Sequence, residues 1–215
     1  FNILLAAKES GIKRVVYASS SSVYGNDPYL PKMEDYTGKI LSPYATTKAI
    51  NELYADIFTL TWKMECIGLR YFNVFGPRQD PKGAYAAVIP KFIDYMNQGL
   101  SPTINGDGNF SRDFTYIDNV VEANILALTT DNSRCYGEVF NIGAGGRITI
   151  LELFNTLKKV LSFDKDAIFG QMRNGDIPHS NANIAKAKSL LNYYPKISFE
   201  EGIKKTVSFI VYLKE

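Results

Sequence analysis

Two short apolar runs, separated by a long helical stretch, constrain the fold of this chain more than any other feature of its sequence. Residues 14–19 form a continuous β-branched and aromatic run, and residues 66–73 form a second, largely apolar one. Such runs are typical of strands buried in a parallel sheet. Between them, Ser42 and Pro43 predict an N-cap and a first helical position, and helix-compatible residues continue to about Leu60. This order of elements predicts an α/β fold.

The rest of the chain continues the alternation of strands and helices. An apolar stretch at 1–7 predicts a helix, and residues 139–142 predict a short strand before a glycine-rich turn at 143–146. Asp118 is expected to cap a helix that runs to about Leu128. Two further helices are predicted where a hydroxyl side chain is followed three positions later by glutamate. These pairs are Thr149 with Glu152 and Ser198 with Glu201.

Composition excludes several classes of function. The 24 basic and 22 acidic residues leave a net charge of +2 without a long basic block, so we do not expect nucleic acid as a partner. Cys66, Cys135 and the single histidine, His179, cannot assemble a zinc or iron-sulfur ligand set, so no metal is expected. No apolar run approaches the roughly 20 residues of a membrane span, which predicts a soluble, cytoplasmic protein.

A tyrosine and a lysine lie four positions apart in the predicted helix that follows Ser42. Tyr44 and Lys48 are therefore expected to share one face of that helix. A chain with 14 tyrosines and 17 lysines contains roughly one such spacing by chance, so the pair alone favours an ordinary surface pair. Its meaning depends on what surrounds it.

The surroundings are a cluster of hydroxyl side chains. Four serines at 19–22 directly follow the first predicted strand, and the second predicted strand ends at 70–73. Open α/β sheets bind ligands at the carboxyl ends of their strands. A serine cluster alone is as often a polar turn, but its combination with a second strand end and a tyrosine on the intervening helix indicates a site.

Five motifs carry a resemblance to a known family. They are ASSSSVYG at 18–25, SPYATTK at 42–48, LRYFNVFGP at 69–77, GDG at 106–108 and RDFTYID at 112–118. In this order and spacing they resemble the extended short-chain dehydrogenase/reductase family, and within it the NAD-dependent UDP-N-acetylglucosamine/UDP-glucose 4-epimerases. The resemblance covers nearly the whole chain.

The resemblance implies the carboxy-terminal part of a Rossmann-type parallel sheet with a smaller substrate-binding lobe. Residues 1–75 would form the carboxy half of the NAD-binding domain, and 76–215 mainly the substrate-binding lobe, with returning Rossmann segments near 112–128 and 139–142. The glycines at 143–146 do not match the dinucleotide fingerprint. We therefore expect the phosphate-gripping turn to belong to a missing amino-terminal segment, and the chain as given to be incomplete for activity.

The resemblance also assigns catalytic roles. Bound NAD would oxidise the sugar at C4 and later return the hydride to its opposite face. Tyr44 would act as acid and base. An ordinary phenol has a pKa near 10, about three units too high for proton transfer at neutral pH. The positive charge of Lys48 would favour the phenolate. Ser20 would hydrogen-bond the reacting hydroxyl, with Ser22 as a second donor. The expected cofactor-binding residues are Ser19, Tyr44, Lys48, Tyr71 and Phe72.

The substrate residues are likewise taken from the resemblance. Arg112 and Arg173 would clamp the diphosphate, and Asp176 would accept hydrogen bonds from the uridine ribose. Related 4-epimerases that exclude acetylated sugars carry a bulky tyrosine where this chain has Ser180, so activity on UDP-N-acetylglucosamine and UDP-N-acetylgalactosamine is predicted. The expected substrate-binding set is Ser20, Ser21, Asn73, Ala87, Val88, Asn105, Arg112, Arg173, Asp176 and Ser180.

Alternatives remain open at this point. Related dehydratases and decarboxylases carry carboxyl side chains in the serine region, whereas residues 20–22 offer none, which favours epimerisation. A nucleotide-sugar dehydratase or reductase of the same superfamily and a non-catalytic NAD-binding regulator are the alternatives. The resemblance further implies polysaccharide biosynthesis and a homodimer, formed through a four-helix bundle by the helix that carries Tyr44 and the helix before the first strand.

Overall fold

The computed structural model describes residues 1–83, 87–172 and 177–212. The sheet with the longest strands contains β1 (Arg14–Ser20), β2 (Glu65–Tyr71) and β7 (Val139–Ile142). These strands lie in the order β1–β2–β7. All three run parallel, with Ser20 opposite Tyr71 and Tyr71 opposite Ile142 at their carboxyl ends. The predicted α/β fold with a parallel sheet is confirmed.

Two helices cover one face of this sheet. They are α1 (Asn2–Glu9) and α2 (Pro43–Trp62), which lies between β1 and β2 in the sequence. Leu4 on α1 and Phe58 on α2 pack in one apolar cluster with Cys66 of β2. The predicted start of α2 is confirmed, because the Ser42 Oγ accepts a hydrogen bond from the Ala45 N–H at 3.1 Å. A cap of this kind fixes where the first turn of the helix lies.

Helices α4 (Ile117–Thr129) and α6 (Ala185–Leu191) pack with the strands in a second apolar cluster. The prediction that Asp118 caps α4 is wrong. Tyr116 occupies the N-cap position, since the short strand that contains it runs directly into the helix, and Asp118 lies in the first helical turn. An acidic side chain there still interacts favourably with the helix dipole.

The two predicted strands differ in how deeply they are buried. Strand β2 is buried along most of its length, as its apolar sequence predicts. Strand β1 is only partly buried and Ala18 is exposed, so the prediction that β1 is a buried strand is wrong. Among the described residues β1 pairs with β2 alone and forms one edge of the sheet. A β-branched run identifies a strand but not its position within the sheet.

A third and largest apolar cluster lies among the remaining elements. The short strands are β3 (Val74–Phe75), β4 (Thr103–Asn105), β5 (Ser111–Arg112), β6 (Thr115–Tyr116), β8 (Ile148–Thr149), β9 (Ile168–Gly170) and β10 (His179–Ser180). They pair as β3 with β6, β4 with β9, and β5 with both β10 and β8. The cluster contains Phe75, Ile93, Phe114, Leu153 and Ile203, among others. The helices are α3 (Val88–Asn97), α5 (Ile150–Val160) and α7 (Phe199–Tyr212).

Both helix starts that were predicted from a hydroxyl side chain followed by glutamate are present in the structure. At α5 the Thr149 Oγ1 accepts from the Glu152 N–H at 3.1 Å, and the Glu152 carboxylate accepts from the Thr149 N–H at 2.7 Å, which is a complete capping box. At α7 the Ser198 Oγ accepts from the Glu201 N–H at 3.2 Å. Among the described residues, no helix has the length and apolar character to cross a bilayer.

The capping box makes a testable contribution to stability. Replacing Thr149 with alanine leaves the Glu152 N–H without its side-chain acceptor, and should lower the free energy of unfolding by about 1 kcal/mol. Thr156→Ala is the matched control, because Thr156 lies inside the same helix and bonds only to the Glu152 carbonyl oxygen. Urea denaturation should separate the two variants; equal midpoints would contradict a stabilising role of the box.

Candidate active site

Tyr44 and Lys48 lie on one face at the start of α2. The Tyr44 side chain is 56% exposed, and the Lys48 Nζ lies 5.7 Å from the centroid of its ring. The same ammonium donates to the Ala18 carbonyl oxygen at 2.9 Å, near the carboxyl end of β1. Lys48 thus connects the helix that carries the phenol to the strand that carries the serine cluster, and its positive charge faces the ring.

The four serines occupy different positions around the end of β1. Ser19 is buried and donates to the Glu52 carboxylate on α2. Ser20 ends the strand, and its Oγ accepts from the Ser22 N–H at 3.2 Å. Ser21 begins a single 3-10 turn that contacts α2. The Ser22 Oγ is buried without a hydrogen-bond partner among the described residues, which is unusual for a polar atom in a protein interior.

An arginine that received no role from the sequence is the most connected side chain near these serines. Arg70 is 4% exposed and forms a two-point ion pair with Glu52, with Nε–Oε1 and Nη2–Oε2 distances of 2.9 and 2.8 Å. Its Nη1 donates to the Tyr24 Oη and to the Glu34 carbonyl oxygen, each at 3.0 Å. Burial alone would lower the pKa of Arg70, but the hydrogen bond to Glu52 raises it above its ordinary value.

The hydrogen-bond network continues from Arg70 to β7. The Tyr24 Oη donates to the Asn141 Oδ1 at 2.6 Å, and burial raises the pKa of Tyr24 to about 12. The Asn141 N–H donates to the Glu34 carboxylate at 2.9 Å, and its side-chain amide donates to the Lys32 carbonyl oxygen at 2.9 Å. These bonds hold part of the segment before α2 against the central sheet.

Sequence reasoning missed Glu52, Tyr24 and Asn141, although one signal was present. Tyr44, Lys48 and Glu52 recur every four residues and therefore share one helical face. A carboxylate in that series, together with an arginine inside an otherwise apolar strand, indicates a buried ion pair.

The predicted cofactor residues of β2 lie at its carboxyl end. The Tyr71 Oη donates to the Asn124 Oδ1 at 2.9 Å, and burial raises the pKa of Tyr71. Phe72 is fully buried, with its ring centroid 6.0 Å from that of Tyr24. Both side chains are engaged within the protein, and the Phe72 N–H also donates to the Ile142 carbonyl oxygen at 3.0 Å.

A cavity of about 300 Å³ brings together five of the predicted substrate residues. Asn73, Ala87, Val88, Asn105 and Arg112 all line it, although they come from four separate segments of the chain. The remaining lining residues are Val74, Phe75, Ile89, Lys91, Phe92, Thr103, Ile104, Phe110, Phe114 and Ile150. Lys91 places a second cation on this wall and was not anticipated from the sequence.

The cavity and the phenol are different parts of the candidate site. Tyr44, Lys48 and Ser20 do not line the cavity, and Asn73 follows directly after the strand end at Tyr71 and Phe72. Ser180 does not line the cavity either, but it lies opposite Arg112 in the pairing of β10 with β5. Arg173 and Asp176 lie outside the described residues.

His179 has a hydroxyl partner. Its Nδ1 lies 2.9 Å from the Ser111 Oγ, and that oxygen accepts from the Arg147 Nε at 2.7 Å. Burial lowers the pKa of His179, and the positive charges of Arg147 and Arg112 lower it further. His179 is thus held by neighbouring side chains of the protein. The described residues contain no cluster of three or more His, Cys, Asp or Glu side chains that could hold a metal.

Asp113 determines what the glycine-rich turn at 143–146 can bind. Its buried carboxylate accepts from the Ala144, Gly145 and Ala182 N–H groups at 2.8, 3.0 and 3.2 Å. A Cβ on Gly143 would lie 2.7 Å from the Asp113 Oδ2, so only glycine fits there. Because these amides already bond to a carboxylate, they are not available to a dinucleotide phosphate.

A family model described as the NAD dependent epimerase/dehydratase family matches residues 1–143. A putative UDP-glucose 4-epimerase from Methanocaldococcus jannaschii is 40% identical over 97% of this chain and 67% of its own length. A UDP-N-acetyl-alpha-D-glucosaminuronate decarboxylase from Bacillus cytotoxicus is 33% identical, with 97% of this chain and 66% of its own covered. This chain thus spans about two thirds of the length of such relatives.

Two solved structures are similar over almost the whole chain. The UDP-N-acetylglucosamine 4-epimerase from Methanobrevibacter ruminantium, in complex with UDP-N-acetylmuramic acid, has a TM-score of 0.93 and 41% identity, covering 99% of this chain and 67% of its own. The UDP-glucose 4-epimerase from Thermotoga maritima with UDP-glucose has a TM-score of 0.92 and 38% identity, covering 99% and 68%.

Substitution of Asp113 tests whether its carboxylate holds the glycine-rich turn at 143–146. Asp113→Asn replaces an acceptor with an amide NH₂ that faces backbone N–H groups, and should lower the free energy of unfolding by about 1–3 kcal/mol. Asp107→Asn is the control, because Asp107 is solvent-exposed and bonds only to Asn109 within its own turn. Chemical denaturation at neutral pH should show a lower midpoint for the first variant alone; two unchanged midpoints would refute this role of Asp113.

Proposed function

Because this chain belongs to the NAD-dependent epimerase/dehydratase family, we propose that the full-length protein is a 4-epimerase that interconverts UDP-N-acetylglucosamine and UDP-N-acetylgalactosamine. The similar proteins named above include 4-epimerases of UDP-sugars. The observation that carries the proposal is the shared helical face of Tyr44 and Lys48, tied to the serine-bearing end of β1.

The residues at the carboxyl ends of β1 and β2 fit the nicotinamide end of NAD, the cofactor of the family. These ends are adjacent because the strands pair in parallel. The Lys48 ammonium reaches the end of β1 with one of its three donors, which bonds to the Ala18 carbonyl oxygen, and the exposed Tyr44 lies one turn before it on α2. In this proposal Tyr44, Lys48 and the backbone of Ser19, Tyr71 and Phe72 hold that end. NAD, when bound, supplies reversible oxidation at the sugar C4.

Tyr44 and Lys48 move and stabilise the proton of the reacting hydroxyl in this proposal. The Tyr44 oxygen takes that proton and later gives it back, and the nearby Lys48 ammonium stabilises negative charge on the phenol oxygen. Ser20 and the unpartnered hydroxyl of Ser22 orient the sugar oxygen, with Ser21 beside them. Hydrogen-bond donors arranged before the substrate arrives lower the barrier without reorganising during the reaction.

The cavity suits the UDP portion of the substrate. Ala87, Val88 and Asn105 form its apolar and amide wall, Arg112 offers a guanidinium for the diphosphate, and Asn73 bridges toward the sugar. Arg173 and Asp176 complete the nucleotide contacts in the proposal. Ser180 lies opposite Arg112 in the strand pairing, and in this proposal its small side chain accommodates a 2-acetamido group where a tyrosine would exclude it.

The Glu52 carboxylate, on the same helical face as Tyr44 and Lys48, argues against a dehydratase or a decarboxylase. A dehydratase or decarboxylase needs a free acid or base close to the sugar, whereas both oxygens of Glu52 are engaged by Ser19 and Arg70. A reductase would release oxidised or reduced cofactor with each turnover, which an assay detects. A silent NAD-binding regulator has no need of a Tyr44, Lys48 and Ser20 set.

A homodimer through a four-helix bundle belongs to the same proposal. Ile3 on α1 and Leu53, Ile57 and Leu60 on α2 are exposed apolar side chains, and those on α2 recur at helical spacing. Exposed apolar stripes of this kind mark interaction surfaces. The proposal extends to a cytoplasmic enzyme of polysaccharide biosynthesis.

Removing the phenol tests the proposed acid and base. Tyr44→Phe keeps the ring and removes only the hydroxyl, and kcat should fall by about 100-fold or more while UDP still binds, since acid-base groups of this kind contribute about 10²–10⁴-fold. Tyr54→Phe on the same helix is the control and should retain parental kcat. Activity of Tyr44→Phe equal to that of the control would rule out this role.

The size of the side chain at position 180 tests substrate choice. Ser180→Tyr should reduce kcat/KM for the two acetylated UDP-sugars by about 10-fold or more, because a steric clash acts on that group alone. UDP-glucose turnover by the same variant is the internal control and should change little. Unchanged kinetics with the acetylated sugars would refute the prediction that the side chain at position 180 selects the sugar.

A further inference from the structure

Glu52 lies two helical turns after Tyr44 on the same face of α2, and the proposed reaction gives it no chemical role. Its carboxylate is the point where three elements meet: α2 through its own backbone, β1 through Ser19, and β2 through Arg70. The Oε1 oxygen accepts from both the Ser19 hydroxyl and the Arg70 Nε, and Oε2 accepts from the Arg70 Nη2. Together these three hydrogen bonds fix the orientation of the Glu52 carboxylate.

Two adjacent contacts attach α2 to the end of β1. Lys48 bonds to the carbonyl oxygen of Ala18, and Glu52 bonds to the hydroxyl of Ser19. The next residue along the strand is Ser20, whose Oγ caps the 3-10 turn that carries Ser22. The relative position of Tyr44 and the Ser20–Ser22 hydroxyls is thus set by this pair of contacts.

Arg70 makes the second contact rigid. A carboxylate held by one hydroxyl can rotate, whereas a two-point guanidinium contact fixes both of its oxygens in one plane. Arg70 is itself anchored by Tyr24 and the Glu34 carbonyl oxygen, and is almost completely buried. Buried ion pairs of this kind specify geometry more than they add stability.

We propose that Glu52 is a positioning residue for proton transfer, which holds the Ser20 segment at the distance from α2 that the Tyr44 phenol requires. This inference rests on the proposed epimerase function. Glu52 does not exchange protons in it, because both of its oxygens are occupied by Ser19 and Arg70. A displacement of about 1 Å at a reacting centre lowers the rate by about 100-fold, so a small shift of this segment is sufficient.

Glu52→Gln in the full-length protein is the direct test. The amide cannot accept the two-point contact of Arg70, so kcat should fall by about 10–100-fold, with KM for the UDP-sugar and for NAD within about twofold of the parent. Glu65→Gln is the matched control, since it breaks the Arg14–Glu65 pair, which joins the same two strands at their amino ends. Its kcat should match the parent.

Ser19→Ala is the second variant, in case Glu52→Gln folds poorly. It removes the bond to the strand end and leaves the Glu52–Arg70 pair intact. The expected result is a loss of kcat in the same direction with unchanged KM values. Parental kcat in both variants, or an equal loss in Glu65→Gln, would overturn the proposal.

Hydrogen exchange separates this proposal from the proposed function. Amides of residues 20–24 should exchange faster in Glu52→Gln and Ser19→Ala than in the parent and in Glu65→Gln. If the parent protein lacks epimerase activity, the proposed function fails, and the exchange result alone decides whether Glu52 holds this segment. Unchanged exchange in both variants would overturn the positioning role whatever the activity.

Discussion

The two-point contact between Arg70 and Glu52 is the interaction on which the geometry of the candidate site depends. It joins the central strand of the sheet to the helix that carries Tyr44, and Ser19 and Tyr24 bond to its two members. A guanidinium and a carboxylate in a buried position lose hydration, so they persist only where both are fully bonded. The network meets this condition through Tyr24 and the Glu34 carbonyl oxygen.

Much of the fold followed from local patterns in the sequence. The Ser42 cap, the box at Thr149 and the strand at 139–142 were predicted because their signals involve residues a few positions apart. The burial of β1 and the cap of α4 were predicted wrongly, since strand neighbours and the entry of a strand into a helix depend on distant parts of the chain. Local chemistry identifies elements better than it identifies their surroundings.

The candidate site divides along the same line. Five residues that the resemblance gave as substrate contacts, Asn73, Ala87, Val88, Asn105 and Arg112, line one cavity, although only Asn73 and Arg112 lie within the five motifs. The motifs did not predict the network behind the serines, whose members are separated by 18 residues for Arg70 and Glu52 and by 117 for Tyr24 and Asn141. Residues that contact a ligand leave recognisable motifs, whereas residues that support them are defined by tertiary contacts.

A 4-epimerase of this geometry brings the Tyr44 phenol to the sugar while the nucleotide occupies the cavity beyond Asn73. A crystal structure of the full-length protein with NAD and UDP-N-acetylglucosamine would locate both groups at once. The Tyr44 Oη is expected within about 2.6–3.2 Å of the sugar O4, with the uridine between Val88 and Asn105. A phenol directed away from the sugar and from Ser20, or a nucleotide bound outside this cavity, would contradict this expectation.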